Sequence, residues 1–286
     1  MLNNKYDFIL LFDVTNGNPN GDPDADNAPR TDPETGIGFV TDVCIKRKVR
    51  NYVDLVKNGE PGFNILIKSD QPLNNKFKSA YEAKGFPVDV TKKSTNIPVE
   101  NQVRQYMCEN YYDVRTFGAM MATGKNSCGV VRGPVQFSFS QSIDPVMVND
   151  LTITRMAKTD EERQAEGDTE MARKSIIPYG LYRMEGHISA ALANKVTDLS
   201  EDDVKLLWQS LLNMFEEDRS AARTEMYVRG LYIFKHKDVL GNANYLDLKN
   251  KIKVELKDHS KVPRAFEDYT VTVDENMPEG VELIIR

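Results

Sequence analysis

Cysteine, histidine and tryptophan are scarce in this chain of 286 residues, which has three, three and one of them. Cys44, Cys108 and Cys128 are odd in number and far apart, which excludes a disulfide framework and the paired spacing of a zinc site, so they read as free thiols. His187, His236 and His259 are isolated, and nothing in the pattern ties one of them to a serine or cysteine nucleophile. A catalytic triad therefore has no support, and packing or surface roles are expected. No apolar run approaches the roughly 20 residues of a membrane helix, and Met1-Leu2-Asn3-Asn4-Lys5-Tyr6-Asp7 has no signal-peptide character. The expectation is a cytoplasmic protein without a membrane partner. An excess of cations is missing too: 37 Lys and Arg stand against 43 Asp and Glu, a formal charge of −6. Phosphates repel a uniformly acidic surface, so indiscriminate coating of nucleic acid is excluded while a local basic groove is not.

What is present is an ordinary globular composition, 40% hydrophobic and 28% charged. The length suits one large domain with insertions better than two equal domains. The most informative stretch runs from Thr41 to about Val56. At about 100° per residue, Ile45, Val49, Tyr52, Val53 and Val56 share one side of a helix, with Lys46, Arg50 and Lys57 along its edge and Arg47 further round. Thr41 or Asp42 serves as N-cap. Two readings stay open from these residues alone: an ordinary surface helix whose cationic stems lie over the core edge, or a rigid ledge of cations fitted to a row of phosphates.

Phe8-Ile9-Leu10-Leu11-Phe12 is continuous and apolar, as in a central strand buried on both faces. Residues 16–38, rich in Asn, Asp, Gly and Pro, are expected to form a long structureless loop of the kind that often carries function. Residues 57–98 are polar, with weak helical spacing at Phe77, Ala80 and Tyr81, and read as an insertion; Val103, Met107 and Tyr111 restore helical spacing. Val131, Gly133, Val135, Phe137 and Phe139 are expected on one face of a strand, with an edge or bulge at Pro134. Residues 150–177 place two strand-like arms around an acidic middle and predict a protruding hairpin. Residues 179–190 predict a core strand with bulges at Gly180 and Gly186. The clearest helix follows, opening at Ser200 with Asp203 three residues on, and Val204, Leu207, Trp208, Leu211, Leu212 and Phe215 at helical spacing. Residues 226–234 predict a further strand, and the C-terminal part short strands or hairpins. This order predicts an α+β fold with helices on one face of a sheet, as in ferredoxin-like or RNA-recognition folds.

Asn16-Gly17-Asn18-Pro19-Asn20-Gly21 opens like a calcium loop, but its twelfth position is Asn27 where a bidentate Glu is required, and no helix precedes it. Its amides and bare backbone N–H groups suit sugar-phosphate oxygens instead. Asp13, Asp22, Asp24, Asp26 and Asp32 have the chemistry to hold a hydrolytic metal, although carboxylates clustered in such a loop are more often turn formers. Neither a metal nor a cofactor is expected. Residues 118–127 fail as a phosphate-binding P-loop: five residues instead of four separate Gly118 from Gly124, and Asn126 stands in place of Ser or Thr.

Phe12-Asp13-Val14-Thr15-Asn16-Gly17-Asn18-Pro19-Asn20-Gly21-Asp22-Pro23, Pro33-Glu34-Thr35-Gly36 and Val40-Thr41-Asp42-Val43-Cys44-Ile45-Lys46-Arg47-Lys48-Val49-Arg50 together resemble the backbone subunit of Cascade, and within that CRISPR-associated family its type I-C member. The resemblance continues through Thr116-Phe117-Gly118, Val131-Arg132-Gly133-Pro134-Val135-Gln136, Thr152-Ile153-Thr154-Arg155-Met156 and Ile177-Pro178-Tyr179-Gly180-Leu181-Tyr182. It implies a modified RNA-recognition (ferredoxin-like) palm, a finger-like insertion at about 57–98 and a thumb hairpin at about 150–177, all in one domain spanning 1–286. Several copies would stack as a helical filament along one CRISPR RNA (crRNA), each thumb displacing a base.

The implied role is a non-catalytic scaffold that grips the guide backbone and leaves bases free to pair with a target DNA strand. Its partners would be a crRNA-processing subunit, a large subunit and a small subunit. A guide of arbitrary sequence has to be held this way, because its base edges are reserved for Watson–Crick readout. Carried onto this chain, the candidate RNA contacts are Lys46, Arg47 and Arg50 on the helix, Asn16, Asn18 and Asn20 in the loop, and Phe117 and Arg132. Ile153, Arg155, Met156, Arg173 and Lys174 join them in the thumb, where Ile153 and Met156 read equally as wedges under a displaced base or as packing. The alternative is a metal-dependent ribonuclease using an aspartate of residues 13–32, as in type III backbone subunits.

Overall fold

The computed structural model describes residues 1–88, 97–122, 126–155 and 170–286. Its centre is β1 (Tyr6–Gly17). Phe8, Ile9, Leu10, Leu11 and Phe12 are wholly buried, so the unbroken apolar run does mark a strand covered on both faces. After β1 come a small hairpin of β2 (Gly21–Asp22) and β3 (Ala28–Pro29), then β4 (Ile37–Val40) and helix α1 (Asp42–Lys57). The stretch expected to be structureless is therefore ordered. Its Asp residues close turns, with Asp22 Oδ1 accepting from the Asp24 N–H at 3.2 Å and Asp32 Oδ1 from the Glu34 and Thr35 N–H groups at 2.9 Å.

Next in the chain are α2 (Leu73–Ala83), α3 (Ile97–Asn110), α4 (Tyr112–Phe117) and the hairpin of β5 (Gly118–Met121) with β6 (Gly129–Arg132). They share a second core in which Leu66, Phe77, Tyr81, Val103, Met107 and Val131 meet. The insertion expected over 57–98 thus packs as one unit with residues up to about 131, because Phe77 and Tyr81 alone have too little apolar surface to form a core. Residues 89–96 of that insertion lie outside the described residues.

β7 (Val135–Phe137) and β8 (Ser140–Pro145) lead to β9 (Asn149–Arg155), which pairs with the start of β10 (Glu170–Ile188). Helix α5 (Glu201–Asn213), β11 (Glu225–His236), α6 (Tyr245–Lys249), β12 (Ile252–Leu256), β13 (Tyr269–Val273) and β14 (Val281–Ile285) complete the chain. The main sheet runs β14, β11, β1, β10, β8, β4, with β7 also beside β10. Every pairing within it is antiparallel.

Both long helices lie on one face of the sheet. Ile45, Val49 and Val53 of α1 and Val204, Leu207 and Leu211 of α5 meet Phe8, Leu10, Phe12 and Val14 there. The capping box expected at Ser200 forms, with Asp203 Oδ2 accepting from the Ser200 N–H at 2.9 Å and Ser200 Oγ from the Asp203 N–H at 3.1 Å. Asp203 also binds Arg115 of α4 at 2.7 Å, which fixes α5 against the second core. The opposite face carries Ile9 and Leu11 and is covered by Leu248 of α6 and Ile252 of β12, with Tyr232 and Phe234 of β11 beside them. The weakly patterned C-terminal part is thus the lid on the second face of β1.

Three local expectations differ from the structure. β10 makes no bulge at Gly180 or Gly186, because its register against β1 is unbroken there. Gly186 instead leaves room for an aromatic ring, since a Cβ at that position would lie 2.1 Å from Phe8. The irregularity sits in β11, where Leu11 faces Gly230 and Phe12 faces Val228, so that Arg229 is the extra residue and reaches Asp13 at 2.8 Å. Phe139 is not on the core face: the strand breaks at Gly133-Pro134, β7 ends at Phe137, and Phe139 is 53% exposed. The hairpin over 150–177 is present as β9 with the first part of β10, which continues unbroken into the core; residues 156–169 lie outside the described residues. Among the described residues, no helix is long and apolar enough to cross a membrane.

The contact of Gly186 with Phe8 gives a first test. Gly186→Ala is expected to lower stability by about 1–3 kcal/mol through overpacking, read as a lower urea midpoint. Adding Phe8→Leu should recover part of that loss, whereas simple additivity of the two changes would contradict the contact.

Candidate nucleic-acid interface

Helix α1 is anchored before any cation is placed. Its N-cap, Thr41, is extended, and both its N–H and its Oγ1 donate to Asn20 Oδ1 at 3.0 and 2.9 Å. Three of the four cations from Lys46 to Arg50 are then neutralised within the fold. Lys46 is buried, paired with Asp42 at 2.8 Å, and its ammonium lies 5.6 Å from the Phe117 ring centre and 5.9 Å from that of Phe137. Lys48 is buried in an ion pair with Asp218 beside Phe215. Arg50 binds the buried Asp113 at 2.8 Å over the Phe117 ring, and Asp113 also accepts from the backbone N–H groups of Leu66 and Ile67 at 2.8 and 3.1 Å.

Arg47 is different: it is exposed and makes no ion pair among the described residues. It stands between two clefts. One, about 340 Å³, is lined by Arg47, Arg50, Asn51, Asp54 and Lys68 among others; the other, about 300 Å³, by Arg47, Lys48, Asn18, Asn20, Asp218 and Arg223 among others. The other cations of both clefts are paired with carboxylates, so Arg47 is the one left to a ligand among these lining residues, and a guanidinium presents several N–H donors to phosphate oxygens in one plane.

The other expected contacts are distributed unevenly. Asn16 is exposed with φ of 47°, but Asn18 is buried, its Nδ2 donating to the Asn27 carbonyl at 2.7 Å, and Asn20 is committed to Thr41. Phe117 is buried beneath Lys46 and Arg50 and acts as their platform. In the hairpin, Ile153 is 49% exposed opposite Ala172, Arg173 is exposed opposite Thr152, and Lys174 donates to the Ala221 carbonyl. The Arg155 side chain and all of Met156 lie outside the described residues. Arg132 is exposed in a separate cleft with Lys5, His187 and Lys195.

With this geometry in place, comparison with known proteins is decisive. The family model for CRISPR-associated protein Cas7 matches residues 4–274. The chain belongs to the Cas7 family. A Cas7 protein of Haloferax volcanii is 28% identical over 296 residues, covering 95% of this chain and 81% of that one. A chain of a solved "CRISPR RNA-guided surveillance complex, pre-nicking" has a similar mixed α/β fold, with a TM-score of 0.51, 12% identity and 86% of each chain covered.

The carboxylates available to a nuclease are dispersed in this Cas7 family member. Asp13 is buried with Arg229 and Tyr179, Asp22 pairs with Arg30 at 3.3 Å, and Asp32 caps a turn. Among the described residues no group of three or more His, Cys, Asp or Glu converges as a metal site. The ribonuclease reading thus gains no support from the Cas7 match or from the arrangement of these side chains.

One cluster had no sequence signal. β1 places the wholly buried Asp7 between His187 of β10 and His236 of β11, at 2.6 and 2.8 Å, with Lys5 at 3.1 Å. Only the pairing of three distant strands brings these groups together. The Asn242 N–H donates to His236 Nδ1 at 2.9 Å, so Nε2 carries the proton given to Asp7. Burial alone would raise the Asp7 carboxyl, but the bonds from His187 and His236, reinforced by Lys5, outweigh it and hold the group well below the usual carboxylate range. A depressed carboxylate contributes stability above its ordinary value near 4 and loses that contribution as pH falls through its folded value. Asp7→Asn should therefore cost on the order of 3 kcal/mol at pH 7, with the gap to the native protein narrowing in urea titrations carried below about pH 4. A gap independent of pH would contradict this assignment.

Proposed function

We propose that this chain is the non-catalytic backbone subunit of a type I-C CRISPR surveillance complex, several copies of which stack along a crRNA. Each copy grips sugar and phosphate and leaves the bases to pair with target DNA. The observation that carries the reading is Arg47, an exposed and unneutralised cation on a helix otherwise locked in place, in a chain of the Cas7 family. A contact of this kind serves a guide of any sequence, because it meets the backbone and not the bases.

The palm is read as an RNA-recognition type. Support comes from the order β1, α1, β7–β8, β10, α5, β11, with β11 and β10 flanking β1 and β8 beyond β10, which is the strand arrangement of a split βαβ sheet. On this reading 1–286 is one domain, the second core forms the fingers, and β9 with the start of β10 forms the thumb. The half-exposed Ile153 and the exposed Met171, 75% accessible, leave apolar surface on that hairpin for a displaced base or a neighbouring copy. Head-to-tail stacking of such copies gives an open helical filament whose length the guide limits. Its partners are then the guide, the paired target strand, further copies of itself, and the crRNA-processing, large and small subunits, in a cytoplasmic assembly.

Arg47→Ala should weaken guide binding to a similar degree for unrelated spacer sequences and reduce the slope of log affinity against log salt by about 0.7, the value for one phosphate of a single strand. Filter binding across a salt series measures both quantities. A loss confined to particular spacers, or periodic cleavage of complementary RNA by the assembly in magnesium, would contradict the scaffold reading.

A further inference from the structure

We propose a second nucleic-acid track on this chain, for a single-stranded polynucleotide other than the strand held at α1. It runs along β7 and β8 on the sheet face turned away from α1, with phosphate at Arg132 and Lys195 and a base on the Phe39–Phe139 pair.

The cationic end of the track is a cleft of about 480 Å³ lined by Lys5, Arg132, Gln136, His187 and Lys195 among others, with no Asp or Glu in its lining and no residue in common with the two clefts beside Arg47. Lys5 and His187 are both held by the buried Asp7. Arg132 and Lys195 are exposed and make no ion pair among the described residues, so they are the cations open to a ligand.

The aromatic end is the pair of Phe39 on β4 and Phe139, stacked with centroids 6.2 Å apart and planes within 5°. Phe139 is 53% exposed and belongs to none of the core clusters. The face is fixed by register. Val40 and Phe137 point into the core beneath α1, whereas Phe39 lies opposite Gln141, and Gln141 opposite Arg183. Gln136 lies opposite His187. The two ends are thus separated by the four residue steps of β10 from Arg183 to His187, about 13 Å of strand, a distance a few nucleotides bridge. The nearest carboxylate along the way, Glu185, is already held by Arg183 at 3.3 Å and Lys249 at 3.6 Å.

Cations that attract phosphate, followed a few nucleotides on by an exposed flat ring, are the two components of sequence-tolerant single-strand binding. An acidic protein segment would use the cations but gain nothing particular from a stacked π face. The C-terminal lid covers the centre of this sheet face and reaches β8 at Ile143 and at Asp144, which accepts from Tyr269 Oη at 2.8 Å, but Phe139 and Gln141 before that point stay exposed, which is why the aromatic surface survives there.

The test uses the full chain and a labelled oligodeoxythymidine, in an Arg47→Ala background so that binding at α1 is weakened. Arg132→Ala with Lys195→Ala should lower the salt slope by about 1.4, as when two phosphates of a single strand are no longer neutralised. Phe139→Ala should weaken binding roughly tenfold without changing the slope. Phe139→Leu, which keeps apolar contact with Phe39 but removes the π face, should behave like Phe139→Ala, and so separates stacking from packing. Ultraviolet crosslinking of a bromouracil-substituted strand should mark the peptide that contains Phe139. Unchanged affinity in both the cation and the Phe139 variants would overturn the proposal. So would displacement of the strand by polyglutamate with no effect of Phe139→Ala, which would make the cleft a seat for an acidic protein. Neither outcome depends on whether α1 holds a guide.

Discussion

Burial of β1 on both faces is the constraint from which the remaining architecture follows. A strand with no exposed side chain from Phe8 to Phe12 needs a layer on each side. Helices α1 and α5 supply one, and α6 with β12 supplies the other. Each of these five side chains contributes roughly 1.5–3 kcal/mol on burial, so neither layer is dispensable. A second consequence concerns function: the middle of the sheet, where an open sheet would stack bases, is closed. On the readings proposed above, nucleic acid is then met at the edges of the fold, on the ridge of α1 and beside β7 and the start of β8.

The charges on α1 are constrained in the same way. Lys46, Lys48 and Arg50 are each paired with a carboxylate from a different part of the chain: Asp42 on the helix itself, Asp218 after α5, and Asp113 on α4. Removing one member of such a buried pair leaves an uncompensated charge, so the pairs constrain geometry even where their net contribution to stability is small. They hold α1 against the second core and the C-terminal half at once. A formal charge of −6 is thus compatible with a local phosphate-binding surface, because many acids are engaged internally.

Much of this is legible in the sequence, and the failures have physical causes. The helical period of Ile45, Val49 and Val53, the capping box at Ser200 and the unbroken run of Phe8 to Phe12 are local signals, and each produces the element expected. Lys46 and Arg50 are legible as helix-edge cations but not as paired ones, since Asp113 approaches only through the tertiary fold. Residues 16–38 suggest a structureless loop because Asn, Asp and Gly signal turns without revealing that Asp22 and Asp32 cap turns there and Asn20 holds Thr41. The cluster at Asp7 is invisible in sequence, its members being more than two hundred residues apart in the case of His236 and joined only by strand pairing. Gly186 suggests a bulge because sequence does not show which ring lies across the sheet.

On the proposed function, the guide backbone follows the α1 ridge and does not cross the covered sheet. Electron cryo-microscopy of the chain assembled with crRNA tests this most directly. Phosphate density against Arg47 in every copy of a helical stack is the predicted result; a particle without RNA, or RNA lying over the C-terminal layer, would contradict it.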